Sequence, residues 1–426
     1  MYNKAVIKEV IIDQKSEIAG MVEKYHVKRS IEQKVRAGLN DALVKVISGV
    51  RRSGKSVLAH MVLKNLPYGY VNFDDERLSG LETKDLNIVF EVLLELTPGM
   101  KYILLDEIQN IDKWELFVNR LQRNGYKIII TGSNAHLLSK DLATHLTGRH
   151  RVFELYPFSF AEYLCFRGVD SDKKQIWSTR DKSVIASFFD EYFTSGGFPE
   201  VFSVVDKKVY LRDLYNKILT QDIALRYKIR HTKTLKDVAL YTANNYASKL
   251  SYQNIKEAYS LKSIHTVKNY LSYMEEAYLF FAVESFSHKL RERERMPRKM
   301  YGIDPALLRA ISISGQKNEG RLLENLVYLE LIRRGYQTQY YSDSHRKYEV
   351  DFVIVDNSGK PTSLVQVCAD TGVAEIKERE MRGLHSALKF FGKIEEIFIV
   401  TLNQSGTETT GGKRVQVVPI WQWLLR

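Results

Sequence analysis

The chain has 426 residues, 44% of them hydrophobic, with 24 Gly and 8 Pro, which excludes a disordered or fibrous protein and exceeds what one compact core fills. Its 63 Lys and Arg against 51 Asp and Glu leave a charge of +12, which suits an anionic partner and equally suits a solvated surface. Cys165 and Cys368 have no metal-ligand spacing and exclude a disulfide framework, and no apolar run reaches membrane-spanning length. The first residues, MYNKAVIKEVIIDQ, lack a signal peptide's core and cleavage site, so a reducing, cytoplasmic setting without membrane contact is expected.

Residues 1–42 read as a strand or short extension followed by helical spacing, a helical lead-in to the next domain with Glu23, Lys24, Arg29, Glu32 and Lys34 as its polar face. Arg29 is read as a solvated charge, with an approach to a bound base as the alternative. A strand at Leu43–Ile47 leads into GVRRSGKS, Gly49 to Ser56, and a helix from Val57 to Leu66. Strand, glycine-containing turn and helix in that order make a phosphate cradle, because backbone N–H groups and the positive end of the helix dipole converge on anionic oxygens. The expected contacts are Gly49, Arg52, Ser53, Gly54, Lys55, Ser56 and Val57. Lys55 reaches the β- and γ-phosphates, and Ser56 offers its hydroxyl to Mg²⁺.

A second strand, Tyr68–Phe73, ends in Asp74, Asp75 and Glu76, and Leu86–Leu96 reads as a helix. In YILLDEIQN the apolar run Tyr102–Leu105 is a buried strand delivering Asp106 and Glu107 at its carboxyl end, where open parallel sheets bind ligands. Asp106 suits Mg²⁺ and Glu107 suits an attacking water; acids opening a helix are the alternative. A strand at Lys127–Ile130 leads into TGSNA, where Asn134 or Ser133 can sense a γ-phosphate. Arg149 and Arg151 precede a fifth strand, Val152–Leu155, and Arg149 is expected to reach the ATP of an adjacent subunit.

The order of these motifs, continued by YPFSFAEY (Tyr156–Tyr163) and SGGFPEVF (Ser195–Phe202), resembles bacterial and archaeal ATP-binding proteins of the AAA superfamily. Members of that family carry a C-terminal domain of largely unknown function, related in fold to restriction endonucleases. The resemblance covers nearly the whole chain. It implies an α/β fold with a P-loop, AAA-type parallel-sheet ATPase core at 43–156, with ATP and Mg²⁺ as cofactors and a homo-oligomer as the expected assembly.

Residues 157–205 read as a helical lid or connector broken by Gly196, Gly197 and Pro199, and Asp206–Arg230 as a long helix. Within 206–300, SYQNIKEAYS and SIHTVKNYLSYMEEAYLF give two helices with Ser caps and a strand at Leu279–Phe286, a winged-helix pattern. His265, Lys268 and Asn269 face outward, and Arg291, Arg293 and Arg295 add charge beside them, so DNA is one expected partner and a protein the other. The last domain, 301–426, alternates helices and strands and resembles the PD-(D/E)XK nuclease fold, with Glu324 and Asp351 in the places of two of its acids. Gln366 and Cys368 stand where that fold needs a carboxylate and a lysine, so cleavage of DNA is not expected. Hydrolysis coupled to movement of this C-terminal half is the leading expectation, and a slow nucleotide-gated binding switch is the alternative.

Overall fold

The computed structural model describes residues 3–25, 27–133, 148–169, 178–312, 318–343, 345, 347–372 and 374–426. The chain divides into two compact units, and two short downstream segments return to the first: it comprises Met1–Phe158, Phe198–Glu200 and Glu276–Tyr278.

The first unit begins with α1 (Lys4–Tyr25), so helix stands where a strand or short extension was expected to precede the helical spacing. Ile7, Val10 and Ile11 explain why: they fall at helical spacing and bury completely or nearly so against the sheet. After α2 (Glu32–Gly38) come β1 (Val44–Ser48), α3 (Lys55–Leu63), β2 (Tyr68–Asn72), α4 (Leu86–Leu96), β3 (Tyr102–Asp106), α5 (Trp114–Arg123), β4 (Lys127–Gly132) and β5 (His150–Glu154). The strands pair in the order β2-β3-β4-β1-β5, all parallel. Because parallel strands need crossovers, helices cover both faces and the strand interiors are largely apolar, the buried Lys45 of β1 being an exception. One layer joins α1, α4 and α5 to the sheet through Val89, Val92, Phe117 and Val118. Val35, Leu58 and Val62 from α2 and α3 fill the other. The chain leaves β1 for β2 at the far edge and then fills in β3 and β4 between them, so the carboxyl ends of β1 and β3 flank the crevice where such sheets hold ligands.

The second unit comprises Ser159–Gly197, Val201–Glu275 and Leu279–Arg426. The long helix expected at Asp206–Arg230 is an α-helix, Lys207–Lys217, running into a π-helix, Ile218–Leu225. Helices Tyr252–Ala258 and Ile264–Glu276 carry Ile255, Val267, Leu271 and Met274 inward and leave His265, Lys268 and Asn269 exposed. Strands β6 (Lys249–Leu250), β7 (Phe280–Val283) and β8 (Arg298–Gly302) form an antiparallel sheet in the order β6-β8-β7. The C-terminal sheet has six strands, adding β9 (Gln337–Ser342), β10 (Glu349–Val355), β11 (Pro361–Val367), β12 (Glu396–Thr401), β13 (Gly406–Thr410) and β14 (Lys413–Pro419) in the order β13-β14-β12-β11-β10-β9. Helix Ala374–Phe391 packs Leu384, Ala387 and Leu388 on it.

Candidate nucleotide-binding site and a sealed acidic cluster

Between β1 and α3 the chain makes a tight loop whose shape depends on two glycines. A side chain at Gly49 would put its Cβ 2.0 Å from the Leu155 carbonyl oxygen, so the loop passes β5 at a distance only glycine permits. Gly54, at φ 93°, turns the chain into α3 and aims the first helical N–H groups into the crevice. Tyr278 braces the stem of the loop, its hydroxyl 3.0 Å from Ser48 Oγ and 3.2 Å from Glu154 Oε1.

A cavity of about 260 Å³ opens over this loop. Arg52, Gly54, Lys55, Ser56, Val57, Asp106 and Glu107 all line it, so the phosphate-loop residues and the Asp-Glu pair of β3 meet as the motifs require. Lys55 is buried, and its ammonium donates to the Val50 carbonyl at 3.1 Å. Asp106 is wholly buried, which pushes its carboxyl above the usual range, while the hydroxyls of Thr131 and Ser56 and the charge of Lys55 oppose that rise. Glu107 sits at φ 52°, a left-handed conformation that costs about 1–3 kcal/mol off glycine and directs its carboxylate to the cavity wall.

Sequence reasoning missed several members of this site. Gln109 donates its amide to the Glu107 carboxylate. It packs so close to Gly132 that a Cβ there would lie 3.0 Å from Gln109 Oε1. Thr131, the first residue of the expected sensor segment TGSNA, holds Asp106, and Tyr70 lines the cavity and shares a hydrogen bond with Asp106. Arg29 is not solvated: it is 5% exposed, donates to Ser53 O at 3.0 Å and Tyr156 O at 2.5 Å, and lies 4.9 Å over the Phe158 ring. Ile18, Met21 and Val27 continue the cavity as an apolar wall beside it, suited to the flat face of a base. Pro199 and Glu200 complete the lining, and Glu200 pairs with Arg52 at 2.7 Å. The periodicity of α1 could have flagged the apolar wall; nothing in the sequence marks residues 198–200 as its neighbours.

Among the described residues expected at the nucleotide site, Gly49, Ser53, Ser133 and Arg149 do not line the cavity. Asn134 lies outside the described residues, while Ser133 is buried at the carboxyl end of β4. Arg149 is exposed at the amino end of β5, where its carbonyl accepts the Val44 N–H at the start of β1. That is the opposite end of the strands from the phosphate loop, so Arg149 does not serve the cavity of its own chain.

In the second unit, Glu324 and Asp351 do converge, around a group that their spacing did not suggest. Lys299 from β8, 3% exposed, donates to Glu324 Oε1 at 3.0 Å and Asp351 Oδ1 at 3.1 Å, and pairs with Glu349 Oε1 at 2.7 Å. Tyr301 adds its hydroxyl to Glu324 at 2.7 Å, and Lys249 pairs with Glu349 at 2.6 Å. Two ammonium groups thus face three carboxylates, and the surplus negative charge has a consequence. Burial, with Asp351 beside it, pushes the Glu324 carboxyl up to about 7. Gln366 accepts from the Asp351 N–H at 3.1 Å and donates to Glu380 at 2.6 Å. Cys368 donates its thiol to the Asp370 carbonyl at 3.2 Å, and burial raises the thiol to about 11. Among the described residues no group of three His, Cys, Asp or Glu side chains is arranged to hold a metal ion.

Of the remaining expected contacts, Arg291 and Arg295 are exposed, but Arg293 is bound to Glu284 at 2.5 Å. No helix among the described residues is long and apolar enough to cross a membrane.

The parallel sheet with its phosphate loop at the carboxyl end of β1 and its Asp-Glu pair at that of β3 defines a P-loop ATPase domain of the AAA type. The model of the AAA domain matches residues 41–164, and two domains of unknown function, DUF8612 and DUF4143, match 187–318 and 319–423. The uncharacterized protein MJ1544 of Methanocaldococcus jannaschii is 34% identical over 443 residues, covering 100% of this chain and 96% of its own. An uncharacterized protein of Haemophilus influenzae is 30% identical over 402 residues, with 90% and 94% covered. The chain belongs to this family of archaeal and bacterial AAA-domain proteins with a C-terminal domain of unknown function. Among solved structures, the Walker-type ATPase PABY2304 of Pyrococcus abyssi is 14% identical at a TM-score of 0.43, covering 67% of this chain and 96% of its own.

Proposed function

We propose that this chain is a Mg-ATP-hydrolysing AAA ATPase whose nucleotide turnover drives movement of its downstream half. The observation that carries the reading is the hydrogen bond of the Ser56 hydroxyl to the Asp106 carboxylate beside Lys55, under a glycine-dependent loop that floors the cavity. Ser56 and Asp106 have the hard oxygen donors that Mg²⁺ takes, directly or through water, and the ion would neutralise the β- and γ-phosphate oxygens. Lys55 exchanges its carbonyl partner for phosphate oxygen. Glu107, steadied by Gln109, orients the water that attacks the γ-phosphorus and accepts its proton as the bond to the β-phosphate oxygen breaks. Arg149 completes the charge stabilisation from a second copy, and Asn134 or Ser133 senses the γ-phosphate.

The winged-helix and nuclease-like halves are read as effectors, and DNA cleavage is not part of the function. Lys299 supports this, since its ammonium fills the space between Glu324 and Asp351 that a divalent ion would need. A second reading, a slow nucleotide-gated switch, is favoured by the Arg52–Glu200 pair, which gives residues downstream of the ATPase core a direct sense of phosphate-loop occupancy. Mg-ATP hydrolysis measured across enzyme concentration, with Lys55→Ala as the blank, separates the two. A specific rate rising with concentration supports a site shared between subunits. A flat, slow rate favours the switch, and a rate no higher than the blank overturns the ATPase.

A further inference from the structure

The basic residues that the sequence offered for DNA contact are poor candidates: Lys268 and Arg293 have partners, and the exposed Arg291 and Arg295 alternate with Glu292 and Glu294 on one short helix, Leu290–Arg295, which offsets their charge. Arg293 and Arg298 are both held by Glu284, at 2.5 and 2.7 Å, and Lys289 by Glu292 at 3.1 Å. Lys268 lies 5.9 Å over the Tyr252 ring. Uncompensated charge in the second unit stands elsewhere, at the turn that follows the π-helix.

Residues 223–236 read IALRYKIRHTKTLK and contain five Lys or Arg and no Asp or Glu. Lys228, Arg230, Lys233 and Lys236 are exposed, and among the described residues none of the four makes an ion pair. Their setting increases the positive potential. Helix Thr232–Asn244 has no acid in its first turn and no side-chain cap, so its orphan N–H groups and positive dipole end add to Arg230, Lys233 and Lys236, and the half-buried Asp237 of the next turn offsets only one of these charges. Lys233 and Lys236 lie off the face that buries Leu235, Val238 and Ala239, leaving both ammonium groups to solvent.

Two further observations distinguish this turn from an ordinary solvated run. Lys228 follows the π-helix at φ 50°, with the Ile229 N–H bonded to the Ala224 carbonyl at 2.9 Å, a helix stop that glycine normally fills. A lysine there costs about 1 kcal/mol that glycine would not, and a cation is what the chain gains for it. Tyr227 stacks on Tyr273, ring centroids 3.8 Å apart and planes 11° off parallel, which fixes the turn to the helix Ile264–Glu276. Of the apolar neighbours Leu225 is exposed and Ile229 half-buried, too little for the apolar face a membrane-lying helix buries.

We propose that the turn Arg226–Lys236 is a docking surface for the phosphate backbone of duplex DNA, which carries a denser line of charge than a single strand. Such a surface needs several unpaired cations on a rigid support and no base-reading group, and binding there is salt-dependent and indifferent to sequence.

The test is fluorescence anisotropy of the full chain with fluorescein-labelled duplex DNA, single-stranded DNA and duplex RNA over a salt series. The variant Arg230→Glu/Lys233→Glu/Lys236→Glu is compared with Arg291→Glu/Arg295→Glu. The first should weaken binding about tenfold or more and lower the log–log salt slope by about 2–3, at about 0.9 for each phosphate no longer neutralised. The second should change binding less than about threefold. Tighter binding of single-stranded DNA or duplex RNA than of duplex DNA overturns the assignment to duplex DNA. The proposal is overturned if the wild type binds none of the three, if the two variants weaken binding equally, or if polyglutamate displaces the nucleic acid as well as unlabelled duplex does. Binding to anionic vesicles without binding to nucleic acid also overturns it. Unchanged thermal unfolding of the triple variant rules out a folding defect as the cause.

Discussion

Asp106 and Asp351 are both buried carboxylates at strand positions, 3% and 6% exposed, and burial raises both above the ordinary range. Their partners differ. Asp106 accepts from three neutral hydroxyls, Thr131, Ser56 and Tyr70, at the edge of a cavity. Asp351 accepts from the Lys299 ammonium at 3.1 Å and the Val367 N–H at 3.0 Å. A hydroxyl can turn from a carboxylate to a metal ion at small cost, whereas removing an ammonium from a buried cluster strands the charges left behind. Burial and acidity alone therefore do not mark a carboxylate as functional; a partner able to leave does.

The most damaging test of that contrast pairs the two lysines. Lys299→Ala should destabilise the protein by about 3–5 kcal/mol in denaturant unfolding, because three carboxylates lose their common counter-charge. Lys55→Ala should leave stability within about 1 kcal/mol and weaken nucleotide binding roughly 10–100-fold, the worth of one or two charge-assisted hydrogen bonds. Equal destabilisation by both would erase the distinction. Next in size, Glu107→Gln should keep nucleotide affinity in a fluorescence titration while lowering turnover about 100-fold or more, and normal turnover would remove Glu107 from the chemistry.

Proton linkage sharpens the comparison on the sealed side. The Glu324 carboxyl rises from an ordinary 4.5 to about 7 in the fold, so the folded protein holds that proton more tightly than the unfolded chain. Its contribution to stability is full below about pH 4.5 and is lost as pH rises through about 7. Glu324→Gln, which cannot ionise, should flatten the decline across that window in unfolding midpoints measured against pH. An unaltered slope would assign the proton to another group. Smallest, Glu200→Gln should shift nucleotide affinity no more than about fivefold, since its pair with Arg52 is partly solvated.

The nucleotide half was legible because its motifs are local. GVRRSGKS and LLDEIQN each carry strand, turn and chemistry within a few residues, and a parallel sheet brings the carboxyl ends of two such segments together. Gln109 and Thr131 escaped notice although one lies within LLDEIQN and the other opens TGSNA, because what they do depends on side-chain direction. Arg29 was misread for a different reason: a charged residue on a helical pattern is usually solvated, and its burial under Tyr156 and Phe158 is a contact across more than 120 residues. Lys299 was unreadable for the same cause, since its acids lie 25 and 52 positions away. Strand β13 was passed over because GTETT is polar and sits at the sheet edge, where apolar alternation is weak; β14, paired on both sides and burying Val415, Val417 and Val418, carried an apolar signal that went unused.

The return of Glu276–Tyr278 to the first unit also sets an order of events on the ribosome. Tyr278, whose hydroxyl reaches Ser48 at the stem of the phosphate loop, is synthesised about 120 residues after Phe158 ends the continuous part of that unit. At about 5–20 residues per second this is a delay of roughly 6–24 s. During that interval the nascent sheet exists without its last brace, and Pro199 and Glu200 join the cavity partway through. A competent nucleotide site is thus a late product of translation, so a chain broken off before Tyr278 would carry every phosphate-binding motif and still lack the residue that steadies the loop.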